Sequence, residues 1–213
     1  MKKAFISADI EGMEGNVSRL QSWRSKPDYT IARKRLAEDV NAAIRACFDS
    51  GYDEVYVCDG HGDMENLILE DMDPRCKLIS GSMRNSLQME GIDSTFDAYI
   101  SFGHAGAGQH VGGVYDHCFN GFKIYNLRFN GVTMNTETVA DALVAGFYGV
   151  PLVCCIEMCI RDRYVTVWPA DSAPSANALA NRWLLPSLRG LPSKINTFFP
   201  MIIPPCFRQI EII

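Results

Sequence analysis

The sequence predicts an α/β fold with a largely parallel sheet flanked by helices and one antiparallel hairpin. Short apolar runs of strand length alternate with helix-length amphipathic stretches, the pattern of β-α-β units. The first such unit lies within the opening sixty residues, and its crossover makes the two strands parallel. An Asn130-Gly131 pair between alternating segments signals the hairpin.

Taken in order, Lys3–Ala8 reads as a strand and residues 12–28, with Gly, Ser, Trp, Arg and Pro, as a loop. A helix is expected from about Thr30 to Ser50. Ile31, Leu36, Val40, Ala43, Ile44, Cys47 and Phe48 recur there at three- and four-residue steps, and Gly51 follows as a stop. Glu54–Cys58 is the second strand, Lys77–Ser80 a short one and Ala98–Phe102 a longer one. Phe122–Phe129 alternates into the Asn-Gly turn toward Val132–Met134. Asn135 or Thr136 can cap a helix to about Tyr148, Gly149 closes it, and Pro151–Ile156 is a further strand.

The bulk numbers exclude some classes of function. The 213 residues, 47% apolar and 21% charged, suit a soluble globular chain, and a net charge of −5 disfavours nucleic acid as a partner. No uncharged apolar run is long enough to span a membrane. Asp9 and Glu11 cut the first apolar stretch short, so no secretion signal is read and a reducing compartment is expected. The 8 cysteines are therefore expected as free thiols, with Cys47 and Cys58 on apolar positions; there is no C-x-x-C, and Cys155-x-x-x-Cys159 is a weak metal signal.

The chain changes character after residue 157. Residues 158–213 hold 7 of the 10 prolines, 1 of the 17 glycines and no histidine. Their charge is +3 (6 basic, 3 acidic) against −8 before them (14 basic, 22 acidic). An α/β domain is expected over 1–157 and a Pro-rich, irregular segment over 158–213. The junction Glu157-Met158-Cys159-Ile160-Arg161-Asp162-Arg163 can be written in codons that resemble the transposon end used to fragment DNA for sequencing. The segment is therefore read as chimeric; a genuine Pro-rich arm is the alternative.

In such sheets, ligands bind at the carboxyl ends of the strands. Asp9, Glu11, Asp59, His61 and His104 are all expected there. Each has an ordinary reading when taken singly. Asp9 and Glu11 suit a turn, His61 and His104 suit loops, and Glu137 gains from the dipole in the first turn of its helix. Asp59 is either an acceptor that orients an imidazole or a turn residue. His110 reads as part of the Gly106–Gly113 loop, and His117 follows that loop. Taken together, the carboxylates and imidazoles can build a hydrolytic metal site, with zinc and its neighbours favoured over magnesium or calcium. If Asp9 and Glu11 lie in extended chain, their spacing of two turns both the same way.

Six ordered blocks resemble the M55 family of metallo-aminopeptidases, the D-aminopeptidases. They are Ser7-Ala8-Asp9-Ile10-Glu11-Gly12; Asp59-Gly60-His61; Leu78-Ile79-Ser80-Gly81 with Met89-Glu90-Gly91-Ile92-Asp93; Gly103-His104-Ala105; Gly113-Val114-Tyr115-Asp116-His117; and Glu137 with Ala145-Gly146-Phe147-Tyr148-Gly149-Val150-Pro151. The resemblance implies two zinc ions per subunit held by Asp9, Glu11, His61, His104 and Glu137, with Asp9 bridging, and His117 as the catalytic nucleophile or base. It implies removal of an N-terminal residue, D-alanyl among others, from short peptides, by a ring-shaped cytoplasmic homo-oligomer. Glu90 is one candidate for holding the substrate's α-amine. Asp141 stands where the family usually has Asn, and Gly106 where it usually has Arg. The same residues would also suit another metal-dependent amidase or phosphoesterase, or a non-catalytic metal-binding assembly subunit.

Overall fold

The computed structural model describes residues 1–105, 117–134, 136–157, 165–167 and 210–212. The Gly106–Gly113 loop with His110, the alternative cap Asn135 and most of the 158–213 segment lie outside the described residues.

Strand β1 (Lys3–Ala8) is followed by a short helix α1 (Arg19–Ser22), the long helix α2 (Tyr29–Asp49) and β2 (Glu54–Asp59). Then come β3 (Lys77–Ile79), β4 (Ala98–His104), the hairpin β5 (Leu127–Phe129) and β6 (Val132–Thr133), α3 (Glu137–Phe147) and β7 (Leu152–Glu157). The expected elements are thus found within a few residues, with three differences. Helix α1 stands inside the segment read as a loop; Ser18 caps it by accepting from the Leu20 amide, and one turn is too short to leave a periodic signature. The hairpin's first strand is confined to Leu127–Phe129, because residues 121–123 form a turn. Within the segment expected to be irregular, β8 (Val165–Val167) pairs antiparallel with β7, and β9 (Ile210–Ile212) with β5.

The main sheet runs β3-β2-β1-β4-β7-β8, and its first five strands are mutually parallel. Its two faces are built from alternate residues. Ala4, Ile6, Ala8, Val55, Val57, Ala98, Ile100 and Phe102 pack on one face against Ala32, Leu36, Val40, Ile44 and Cys47 of α2. Burying a leucine or isoleucine side chain contributes roughly 1.5–3 kcal/mol, so this face carries much of the stability. Ile31, read as part of the buried stripe, is 56% exposed; Tyr29 and Ala32 take its place in the core. Gly51 ends the helix with φ 83°.

Phe5, Cys58 and Tyr99 point the other way, toward Met89, Phe96 and Ala145 of α3. Toward the carboxyl ends of the strands this second face turns polar. Ser7 meets Tyr99 at 2.8 Å, and Ser101 meets Thr138 at 2.6 Å. No helix among the described residues is long and apolar enough to cross a membrane.

Candidate metal centre

The polar layer on the α3 face leads to a cluster of carboxylates and imidazoles. Asp9 and Glu11 follow β1, His61 follows β2, His104 ends β4 and Glu137 opens α3. Asp9, Glu11, His104 and Glu137 are 0–4% exposed. Ligand atoms of Asp9, His104 and Glu137 lie within 4.8 Å of one another, and so do those of Asp9, Glu11 and His61. Asp9 belongs to both triads. Its Oδ1 stands 2.9 Å from His61 Nδ1, and its Oδ2 stands 3.5 Å from His104 Nδ1. All five residues expected as ligands are therefore brought together.

A break in strand geometry aims His104. Ala98, Ile100 and Phe102 point to the α2 face, and strict alternation would send residue 104 there too. Between Phe102 and His104 the register against β7 shifts, so Gly103 and His104 together oppose Glu157. Gly103 has φ 76°. This is a bulge, and it re-aims the imidazole into the polar layer. The same glycine lets the loop after β1 cross β4: the Asp9 and Gly12 amides donate to the carbonyls of Phe102 and Gly103, at 2.8 and 2.6 Å. A Cβ at Gly103 would collide with the Asp9 carbonyl and the Met13 side chain.

Each imidazole turns Nδ1 to the carboxylates and Nε2 to a supporting group. His61 Nε2 donates to the Ser22 carbonyl at 2.7 Å, and His104 Nε2 meets Ser7 Oγ at 2.7 Å. Such partners fix ring orientation and tautomer in metal sites. Behind Ser7 the chain continues through the Tyr99 hydroxyl to Asp141, at 2.8 and 3.4 Å. Glu137 Oε1 accepts from the Phe119 amide at 2.6 Å, and its Oε2 lies 3.1 Å from His104 Nδ1. His117 Nε2 is 3.8 Å from Glu11 Oε1.

One sequence expectation changes, and two open alternatives are decided. The chain turns immediately after Ala8, so Asp9 and Glu11 do not converge through extended alternation; they converge on His61, with Glu11 Oε2 at 3.0 Å from its Nδ1. Asp59 orients no imidazole. It accepts from the amides of Asn66 and Leu67 and from the Asn66 side chain, tying down the 60–67 loop that carries His61. Glu90 accepts from the Ser86 amide and does not line the cavity around the cluster. Ser7 gives no sign of this role in the sequence, and the supports from the Ser22 carbonyl and the Phe119 amide are backbone groups with no residue-type signature.

The electrostatics favour a bound cation. Burial raises the Glu11 carboxyl, and the neighbouring Asp9 charge helps push it to about 8. Burial also works against ionised Asp9, but hydrogen bonds from His104 and His61 hold its carboxyl well below the ordinary value. Burial disfavours both imidazolium ions, yet the carboxylates outweigh it: Glu11 and Asp9 hold His61 well above its usual value, as Asp9 and Glu137 do His104. Protons thus stand where divalent ions could balance the same negative charge. Two imidazole nitrogens and several carboxylate oxygens form a donor set that fits zinc.

The model of the peptidase family M55, described as D-aminopeptidase, matches residues 1–157. The chain belongs to that family. It is 34% identical over 152 residues to a D-aminopeptidase of Bacillus subtilis (strain 168), which covers 71% of this chain and 54% of the relative. The chain thus spans about half the length of that relative. Its fold is similar to a solved structure described as the Zn-dependent D-aminopeptidase DppA from Bacillus subtilis, a self-compartmentalizing protease. The TM-score is 0.67 at 27% identity, over 79% of this chain and 68% of the other.

Proposed function

We propose that this chain is a zinc-dependent aminopeptidase that releases N-terminal amino acids, D-residues among them, from short peptides. The observation that carries the reading is the sharing of Asp9 between the two ligand triads, one oxygen toward each imidazole. Family membership and the likeness to a zinc-dependent D-aminopeptidase support the same chemistry. Asp9, Glu11, His61, His104 and Glu137 would hold two zinc ions, with Asp9 common to both. When bound, such ions polarise a scissile carbonyl and lower the pKa of a coordinated water.

The chain's own residues supply the rest. His117 is the base: its Nε2, beside Glu11 on the cavity wall, takes a proton from the attacking water and returns it to the leaving amine. A free α-amine would be held by a carboxylate left over from zinc binding or by an ion, which favours exopeptidase action. Ser7 and the Ser22 carbonyl hold the two imidazoles with Nδ1 toward the ions.

The reading extends to a homo-oligomer in the cytoplasm, in keeping with the self-compartmentalizing relative. We assign the family unit to 1–157 and read 158–213 as a chimeric segment; the family match ends where the composition changes. Sequencing the source gene across Glu157–Arg163 tests this, and an uninterrupted native reading frame there would overturn it.

Metal content by mass spectrometry tests the centre. About two zinc ions per chain are expected after loading, with fewer in His61→Ala. A folded protein that takes up no zinc would overturn the reading. Zinc uptake near neutral pH is expected to release protons, because Glu11 and both imidazoles hold them in the metal-free protein. Affinity should therefore rise with pH through about 8, the value of Glu11, as calorimetry in two buffers would detect. Turnover of D- and L-alanyl dipeptides, set against phosphate esters, separates peptidase from phosphoesterase.

A further inference from the structure

We propose that Arg19, Trp23 and Phe122 form a subsite for the carboxyl-terminal residue of a short peptide, with the Arg19 guanidinium binding its free α-carboxylate. The proposal rests on the peptidase reading and deepens it.

All three side chains line the cavity of about 770 Å³ that also contains Asp9, Glu11 and His117. The Arg19 guanidinium stands 5.3 Å from the centre of the Phe122 ring and 6.0 Å from that of Trp23. The two rings lie 6.3 Å apart, inclined at 40°. Stacking of this kind restrains an otherwise flexible side chain and leaves its in-plane N–H groups pointing outward, in the fork that matches a carboxylate.

Arg19 differs from its neighbour on the same wall. Arg24 is bound to Asp63 at 2.6 Å and to Glu65 at 2.9 Å. Among the described residues, no carboxylate lies within ion-pair distance of Arg19. Trp23 and Phe122 are 40% and 75% exposed, a large apolar area to leave open beside a charged cavity.

The cluster is tied to the candidate metal centre from two sides. Arg19 lies on α1, whose last residue, Ser22, accepts from His61 through its carbonyl. Phe122 lies three residues beyond Phe119, whose amide donates to Glu137. Trp23 and Phe122 meet on the cavity wall between these two anchored strips. The cavity wall thus carries the candidate metal centre and Arg19, which has no carboxylate partner among the described residues. A short peptide fits it one way round, free α-amine toward the candidate metal centre, carboxylate on Arg19 and the side chain of its last residue against the two rings.

The test uses the zinc-loaded full chain and a reduced-amide analogue of an alanyl-phenylalanine dipeptide, which cannot be hydrolysed. The analogue is prepared as the free acid and as the carboxamide, in both alanyl configurations. Binding is followed by calorimetry and by tryptophan fluorescence. The free acid is expected to bind about ten- to a hundredfold more tightly than the carboxamide, the effect of a charge-assisted hydrogen-bonded pair. Arg19→Ala should erase the difference and Arg19→Lys should keep part of it. Equal binding of acid and carboxamide by the unaltered protein, binding of neither, or an undiminished preference in Arg19→Ala would overturn the subsite. Hydrolysis of the parent dipeptide is scored in parallel. Acid preference without turnover supports the subsite and overturns the peptidase reading; turnover without acid preference does the reverse.

Discussion

The two faces of the main sheet are built on opposite principles. The α2 face is hydrocarbon from Ala4 to Phe102, closed by Leu36, Val40 and Ile44. The α3 face begins with Phe5 and Tyr99 and then gives way to Ser7, Ser101, Thr138, His104 and Asp141, all buried and hydrogen-bonded or charged. Burying polar groups costs free energy unless each finds a partner. The hydrocarbon face supplies the stability that lets the other face assemble a cluster of buried carboxylates and imidazoles. Residues on the first face should therefore control folding, and residues on the second should control metal affinity.

Gly103 is where the two requirements meet, and its replacement should have the largest effect. Gly103→Ala forces a Cβ into the Asp9 carbonyl and Met13 at a positive φ. The bulge can relax only by returning His104 toward the α2 face and moving the loop that carries Asp9. A loss of about 4 kcal/mol or more is expected, with zinc content falling below that of the parent even in the folded fraction. Thermal melts with metal analysis would check it; a stable variant with full zinc would break the division between the faces. Leu36→Ala is the control on the hydrocarbon side. Leu36 is fully buried under the sheet, and truncation should cost about 2–5 kcal/mol. Zinc stoichiometry and affinity, measured below the variant's melting point, should be unchanged.

The division also explains what the sequence disclosed. Hydrocarbon packing imposes periodicity, so the strands, α2 and the parallel β-α-β unit could be read from spacing alone. Ile31 misled because it sits at a helical step but falls just outside the buried arc. The five ligand candidates were legible because they fall at strand and helix ends in an order that resembles a family. What supports them was not. The bulge at Gly103 depends on register with β7, the anchor for His61 is a backbone carbonyl, and α1 is a single turn. The Arg19–Trp23–Phe122 group joins segments about 100 residues apart, which no local pattern reports.

Ser7→Ala should produce a smaller change, confined to the polar face. It leaves His104 Nε2 without its 2.7 Å partner and takes from the Tyr99 hydroxyl its contact with Ser7. Loss of such a supporting group typically lowers metal affinity 10–100-fold. Competition with a zinc-sensitive chelating dye would measure it, with the folded state intact at 25 °C. An unchanged affinity would mean that packing alone orients the imidazole.

Asp141→Asn should have the smallest effect, and one visible only as a pH dependence. Asp141 ends the chain from His104 through Ser7 and Tyr99. Burial raises its carboxyl to about 7 against the pull of His104, with the Glu137 charge adding to the rise. A carboxyl raised above its unfolded value of 3.8 binds its proton more tightly in the native state. Its contribution to stability is therefore complete below about pH 4 and is lost as pH climbs through about 7. Asparagine still accepts from Tyr99 through its amide oxygen but carries no charge to bury. The metal-free variant should match the parent near pH 4 and exceed it above pH 7, by on the order of 1 kcal/mol once the lost attraction to His104 is offset. Melting temperatures of the two proteins at pH 4.5 and 8 decide it. A variant less stable at pH 8 would mean that the Asp141 charge is needed to hold His104, and that the polar face tolerates less substitution than its hydrogen bonds suggest.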